Sequence, residues 1–220
     1  MNRSQYIEHT FLKAEGTHKE IDKIISEAKE YSFKGICINP SWIEYAKPKL
    51  AGTDVLLVTV IGFPLGAMAT EAKAFEAKHA VQLGADEVDM VLNIGRLKQA
   101  DHTYVEQDIK AVKDAIGNKN LKVIVEAALL TDKEIKKATE LVMAAGADFV
   151  KTSTGFSTRG ALPNDIKIMH SVTQGKIGIK AAGGVSTPEQ LDEMISLGAN
   201  RIGTSRGVAL VEGKKANGGY

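Results

Sequence analysis

The chain has 220 residues, 44% of them hydrophobic and 25% charged, an ordinary globular composition with enough apolar material for one sizeable core. Lys plus Arg number 28 against 27 Asp plus Glu, so no excess charge recruits nucleic acid or an anionic membrane, and any anionic ligand has to be gripped locally. The single Cys37 cannot close an intrachain disulfide, no apolar leader follows Met1, and the longest aliphatic stretch, 55–61, falls far short of the ~20 residues a spanning helix needs; a cytoplasmic protein is expected.

A short strand near 6–10 opens the chain. Thr17 with Glu20 then fits a capping box, in which a hydroxyl and a Glu or Gln three residues on satisfy orphan amides reciprocally. Behind it Ile21, Ile24, Ile25 and Ala28 form a helical stripe. Apolar runs at 35–38, 55–61, 88–92 and 123–125 read as strands. Thr131 with Glu134 caps a second clear helix, whose stripe is Ile135, Ala138, Leu141, Val142 and Ala145. Strands at 149–150 and 177–179 follow, then Thr187 with Gln190, Pro188 at the first helical position, the stripe Leu191, Met194 and Ile195, and a last strand at 201–202. The count is eight strands, several apolar on both faces, as strands are when one face meets a barrel interior and the other a helix layer. The expected fold is α/β, a single-domain (β/α)8 TIM barrel over 1–212, with a flexible Gly- and Lys-rich tail at 213–220 ending in Tyr220. An open doubly wound sheet is the alternative, but the glycine fingerprint after the first strand is missing.

Gly-Ala-Asp/Asn recurs at Gly84, Gly146 and Gly198, each time ending a helical pattern and opening a strand. Five residues on from each glycine stand Asp89, Lys151 and Gly203, so equivalent strand positions hold an acid, a lysine and a glycine. A common turn explains the glycines; it does not explain charge inside strands.

Lys151 lies where an apolar strand gives way to the polar loop Thr152, Ser153, Thr154 and Gly155. A lysine there can simply snorkel to solvent. Lys180, however, ends another apolar strand, and two ammonium groups on one barrel rim, partly buried, depress each other's pKa. An amine nucleophile needs this, because at an ordinary pKa only about one lysine in 2,500 is neutral at pH 7, and each unit of depression costs about 1.36 kcal/mol. Asp89 is either the proton carrier for such chemistry or a salt-bridge partner that keeps the ammonium groups tolerable. Glu126, at a further strand end, is a charge supporting the lysines or a structural ion-pair member. Gly183 and Gly184, and the segment Gly203, Thr204, Ser205, Arg206, follow the seventh and eighth strands, where barrels place phosphate on backbone amides; Thr154 and Gly155 join them as substrate-binding candidates. His9, His18, His79, His102 and His170 have no ligand-like spacing, and Cys37 reads as a small core residue.

Over nearly all of 6–207 the sequence resembles the deoxyribose-phosphate aldolase family, through TVIGFPLG (59–66), GADEVDM (84–90), GADFVKTSTGFS (146–157), KAAGG (180–184) and IGTS (202–205). The resemblance implies a class I aldolase that splits 2-deoxy-D-ribose 5-phosphate into acetaldehyde and D-glyceraldehyde 3-phosphate with no metal or organic cofactor. It makes Lys151 the Schiff-base lysine, Lys180 its pKa-lowering neighbour, and Asp89 the acid that moves protons with Lys180. Gly183, Gly184 and Ser205 correspond to phosphate-binding positions. Some members end in a tyrosine that assists proton transfer at the enamine carbon, which marks Tyr220. Glu8 stands where the family often has Asp, Ala182 where Ser is common and Arg206 where a small residue is usual; Glu8 can hold the same hydroxyl, and Arg206 either strengthens phosphate binding or points to solvent. A homodimer is compatible with all of this. A sugar-phosphate isomerase using a Glu or His base, or a sugar-phosphate-binding protein, stays open on the residues alone.

Overall fold

Eight parallel strands, each hydrogen-bonded to its sequence neighbours and the first to the last, close into a barrel in this computed structural model, which describes residues 2–215. The strands are β1 (Ile7–Phe11), β2 (Gly35–Ile38), β3 (Leu56–Ile61), β4 (Glu87–Val91), β5 (Asn120–Ile124), β6 (Phe149–Lys151), β7 (Gly178–Ala182) and β8 (Arg201–Thr204). Around them run α1 (His18–Glu30), α2 (Ile43–Ala46), α3 (Thr70–Leu83), α4 (Ile94–Lys98), α5 (His102–Ile116), α6 (Asp132–Ala144), α7 (Pro163–Thr173), α8 (Pro188–Ser196) and α9 (Gly207–Val211). Tyr220 lies outside the described residues. Among those described, no helix is long and apolar enough to cross a membrane.

The three capping boxes are present at the starts of α1, α6 and α8, where Glu20, Glu134 and Gln190 accept from the backbone amides of Thr17, Thr131 and Thr187 at 2.9, 2.8 and 3.2 Å. Each such cap is worth about 1 kcal/mol. The helical stripes meet the outward faces of the strands in one continuous cluster that includes Ile21, Ile24, Ile36, Leu57, Val88, Val123, Val142, Val150, Ile166 and Leu191. Inside the barrel lies a small apolar cluster, Leu12, Cys37, Val58 and Val60, with Phe63 packed on it. Several strands differ from the apolar runs that announced them, β5 and β7 most: β5 begins at Asn120 rather than 123 and ends before Val125, and β7 extends through Lys180 to Ala182. Their inward positions carry polar groups, so an apolar run marks only part of each strand.

The repeated turn has a physical cause. Gly84, Gly146 and Gly198 all sit at positive φ (115°, 78° and 115°), which ends the helix without a Cβ penalty. Two residues later, Asp86, Asp148 and Asn200 each accept from the amide of the second residue of a neighbouring strand, Leu57, Leu121 and Ile179, at 2.9, 2.8 and 2.9 Å. The third residue of the repeat thus pins β4 to β3, β6 to β5 and β8 to β7 in one register. Asp89, Lys151 and Gly203 consequently all face the barrel interior.

One further buried ion pair stands outside the barrel. Lys73 on α3 donates to Asp108 on α5 at 2.7 Å and to the carbonyl of Val91, at the end of β4, at 3.0 Å; Thr70 supplies a second donor to Asp108 at 2.8 Å. Neither charged side chain has any exposed surface.

Candidate active site

Three lysines converge on a single carboxylate. Asp89 Oδ2 accepts from Lys151 Nζ and from Lys180 Nζ, 2.7 Å from each, while Oδ1 accepts from Lys122 Nζ at 3.0 Å. Lys180 also donates to Glu8 Oε2 on β1. Lys151, the last residue of β6, is 2% exposed, so its stem is enclosed rather than snorkelling to solvent.

Burial is the largest influence on the Lys151 amine and pushes its pKa down; Asp89 opposes this, the Lys180 charge reinforces it, and the net result lies below the ordinary lysine value. Of the two depressing effects expected, burial is thus the larger and the Lys180 charge the smaller. Burial also acts against the Lys180 ammonium, but Asp89 and Glu8 outweigh it and hold that amine well above its usual value. Burial works against the Asp89 carboxylate too, yet Lys122, Lys151 and Lys180 hold it well below the usual carboxylate range. Two neighbouring lysines are thus driven in opposite directions, so that Lys151 gives up its proton more readily than Lys180.

At the C-terminal ends of β6, β7 and β8 a cavity of about 220 Å³ is bounded by Gly155, Gly183, Gly184, Thr204, Ser205 and Arg206. Gly184 has φ +74°, and a Cβ there would stand 2.9 Å from the carbonyl oxygen of Ala161, so only glycine lets the chain pass so close. The Arg206 amide is held by Thr204 Oγ1 at 3.0 Å, and its guanidinium has no hydrogen-bond or ion-pair partner among the described residues.

Several expected roles change. Gly203 does not bound the cavity; a Cβ on it would stand 3.0 Å from Lys180 Cε, so it clears a path for the Lys180 stem. Thr154 is occupied in the loop itself, its hydroxyl donating to Glu126 Oε2 and accepting from the Phe156 amide at 3.0 Å. Glu126 makes no ion pair with a lysine; it orders that loop from a left-handed backbone position (φ 55°), and burial pushes its carboxyl pKa up. Glu8 is a direct ion-pair partner of Lys180.

Four contributors have no counterpart in the sequence reading. Lys122, Glu87 and Arg201 line the barrel interior below Asp89, and Lys122 reaches Glu87 Oε2 at 2.6 Å. Arg159 grips both oxygens of Asp165 at 2.6 and 3.1 Å and donates to the carbonyl of Ala127 at 3.1 Å, fastening the loop after β6 to the end of β5. Lys122 did carry a signal: it stands between Leu121 and Val123, a lysine inside an apolar run. Among the described residues no group of His, Cys, Asp or Glu side chains is arranged to hold a metal ion.

Comparison with known proteins gives the same direction. Deoxyribose-phosphate aldolase of Streptococcus mutans is 54% identical over 220 residues, 100% of each chain. A structure from Coccidioides immitis assigned as a deoxyribose-phosphate aldolase superimposes with a TM-score of 0.94 at 42% identity, covering 96% of this chain and 85% of that one. The tetrameric deoxyribose-phosphate aldolase of Aeropyrum pernix gives a TM-score of 0.85 at 31% identity, covering 96% and 89%. With the DeoC/LacD aldolase family model matching residues 4–212, nearly the whole barrel and every lysine of the site, the chain belongs to the DeoC/LacD family of aldolases.

Proposed function

We propose that the protein is a class I deoxyribose-phosphate aldolase that cleaves 2-deoxy-D-ribose 5-phosphate to D-glyceraldehyde 3-phosphate and acetaldehyde through a Schiff base on Lys151. The observation that carries the assignment of the lysine is the shared oxygen, with Lys151 and Lys180 both 2.7 Å from Asp89 Oδ2 and their pKa values displaced in opposite directions.

The chemistry follows from that geometry. The neutral Lys151 amine attacks C1 of the open-chain sugar, forming the C–N bond of a carbinolamine. Asp89, bridging both amines, passes the proton that the attacking nitrogen loses to the carbinolamine oxygen, and a second proton, taken from solvent through the same carboxylate, lets that oxygen leave as water and gives an iminium. The C3 hydroxyl proton is released through the same relay as the C2–C3 bond breaks, its electron pair moves into the iminium as an enamine, and D-glyceraldehyde 3-phosphate departs. Protonation of the enamine at C2 and hydrolysis then free acetaldehyde and return Lys151 to its starting state. Throughout, Lys180 stays charged, held by Glu8, and supplies a fixed positive field beside the developing negative oxygen.

The phosphate belongs in the cavity at the ends of β6 to β8, where Gly155, Gly183, Gly184 and Ser205 offer close backbone approach and Arg206 adds a cation. Helix α9, which begins at Gly207, opens beside it. Tyr220, outside the described residues, is proposed to assist proton transfer at the enamine carbon, with the segment from Gly213 to Tyr220 as the tail that carries it there.

Reduction with cyanoborohydride in the presence of acetaldehyde, followed by peptide mass spectrometry, tests the central assignment. A two-carbon adduct on Lys151 is expected. An adduct confined to another lysine overturns it.

A further inference from the structure

The reaction above uses Asp89, Lys151 and Lys180 but leaves Lys122, Glu87 and Arg201 without work. All three point into the barrel. The inward positions of β2 and β3 are apolar, Cys37, Val58 and Val60, so the interior charge is confined to β1 and to β4 through β8. Carboxylates come from Glu8, Glu87 and Asp89; cationic groups come from Lys122, Lys151, Lys180 and Arg201. Three acids therefore face four bases.

The distances say which base is supernumerary. Lys122 Nζ touches every acid, Glu87 Oε2 at 2.6 Å, Asp89 Oδ1 at 3.0 Å and Glu8 Oε1 at 3.5 Å. Lys180 has Glu8 Oε2 and Asp89 Oδ2. Arg201 Nε stands 3.5 Å from Glu8 Oε1, with its guanidinium over the Phe149 ring at 5.3 Å. Lys151 has a single oxygen, and shares it with Lys180. In an interior that excludes water an unbalanced charge is costly, so the amine with the smallest claim on a carboxylate is the one that gives up its proton.

We propose that Lys122 is a positioning residue for the aldolase reaction, and that with Glu87 it sets the charge count of the barrel interior so that Lys151, whose one carboxylate oxygen is shared with Lys180, is the amine that gives up its proton. The inference rests on Lys151 being the Schiff-base lysine, and adds that its neutrality is decided by residues that touch neither it nor the substrate. The other groups facing Lys151 do not disturb the count. Burial pushes the Cys37 thiol on β2 up, away from thiolate, and Glu126 beyond β5 is spent on Thr154. Around Lys122 the neutral Asn120 donates to Glu87 Oε1 at 2.8 Å and the Phe149 ring lies 5.9 Å from Nζ. The directions agree: despite burial, the acids raise Lys122 and Lys180, and Lys151 alone of the three falls.

The test is the pH profile of acetaldehyde trapping on Lys151 by cyanoborohydride, alongside that of kcat/KM, in the full-length protein. Lys122→Met leaves three acids against Lys180 and Arg201, so Lys151 keeps its proton: trapping slows by about tenfold or more at pH 7 and recovers at alkaline pH. Glu87→Gln/Lys122→Met removes one charge of each sign and returns the profile toward wild type. Glu87→Gln alone leaves the cations in excess and moves the profile to lower pH. A Lys122→Met profile like the wild type, a double variant as alkaline-shifted as Lys122→Met, or an unmoved Glu87→Gln profile each overturns the proposal. If Lys122→Met does not fold, the opposite shift in Glu87→Gln and the double variant still decide. A wild-type adduct on a different lysine refutes the Schiff-base assignment instead, so the two failures are distinguishable.

Discussion

Lys180→Met is the substitution that separates stability from catalysis most clearly. The side chain is fully buried and hydrogen-bonded to both Glu8 and Asp89, so its loss strips a partner from two enclosed carboxylates. Breaking a buried pair from one side costs about 3–5 kcal/mol. A domain of this size has roughly 5–15 kcal/mol in total, so the variant folds at 25 °C, and its Tm falls by roughly 10 °C at about 2–4 °C per kcal/mol. The kinetic effect has another origin. Lys151 and Lys180 are each 2.7 Å from one oxygen, which keeps the two nitrogens within roughly 5 Å, where ammonium repulsion at an effective dielectric of ~20 is worth about 3 kcal/mol. Removing it favours the protonated Lys151 by about two orders of magnitude at fixed pH. A coupled assay of D-glyceraldehyde 3-phosphate formation should show kcat/KM down at least about a hundredfold at pH 7 and recovering at alkaline pH, with a melt recorded on the same sample. A variant with lowered Tm but an unmoved pH profile would show Lys180 to be an ion-pair strut with no hold on the Lys151 proton.

Asp108→Ala strands Lys73 without a carboxylate between α3 and α5; a loss of about 3–5 kcal/mol in urea unfolding is expected, with kcat/KM of the folded enzyme changed less than about tenfold. Arg206→Ala should raise KM for the phosphorylated sugar and leave cleavage of unphosphorylated 2-deoxyribose as it was; equal losses on both substrates would place the phosphate elsewhere. Asp89 and Glu87 have folded pKa values below 3.8 and 4.5, so their stabilisation is present above those values and lost as the pH falls below them; the urea midpoint should hold from neutral pH to about 5 and drop beneath about 4. Lys122 and Lys180, raised above 10.5, contribute the mirror effect, present below that value and lost as the pH climbs past it toward their folded values.

The barrel was legible because its signals are local. A hydroxyl and a Glu or Gln three residues apart mark each capped helix start, and a glycine at positive φ followed by an amide-accepting Asp or Asn marks the turns into β4, β6 and β8. The same turn let simple counting put Asp89 and Lys151 on one interior. Lys122 escaped because β5 was sought as an apolar run at 123–125, whereas the strand begins at Asn120 and carries its lysine inward. Glu87 and Arg201 escaped as well, each being the first residue of its strand, where the apolar run does not show which face a charge takes. The contacts of Gly203 and Thr154 were not legible, since neither the Lys180 stem nor Glu126 is near them in sequence.

The strand register explains why the tuning charges and the reactive amine do not compete for substrate. Lys122 pairs across the sheet with Asp89 on one side and Phe149 on the other, while Lys151 pairs with Ile124, two residues further along β5. Lys122 therefore lies nearer the N-terminal ends of the strands than Lys151. Glu87 and Arg201, at the starts of β4 and β8, lie deeper still. Barrel substrates enter at the C-terminal face, so the first amine they meet is the one with the weakest ionic hold, and each cation beneath it is engaged by a buried acid. Asp89 sits at the boundary with one oxygen facing each way, Oδ1 to the permanent cation below and Oδ2 to the pair that does the chemistry. A carboxylate anchored from beneath can exchange protons above without changing its position, which is the preorganisation an iminium mechanism needs.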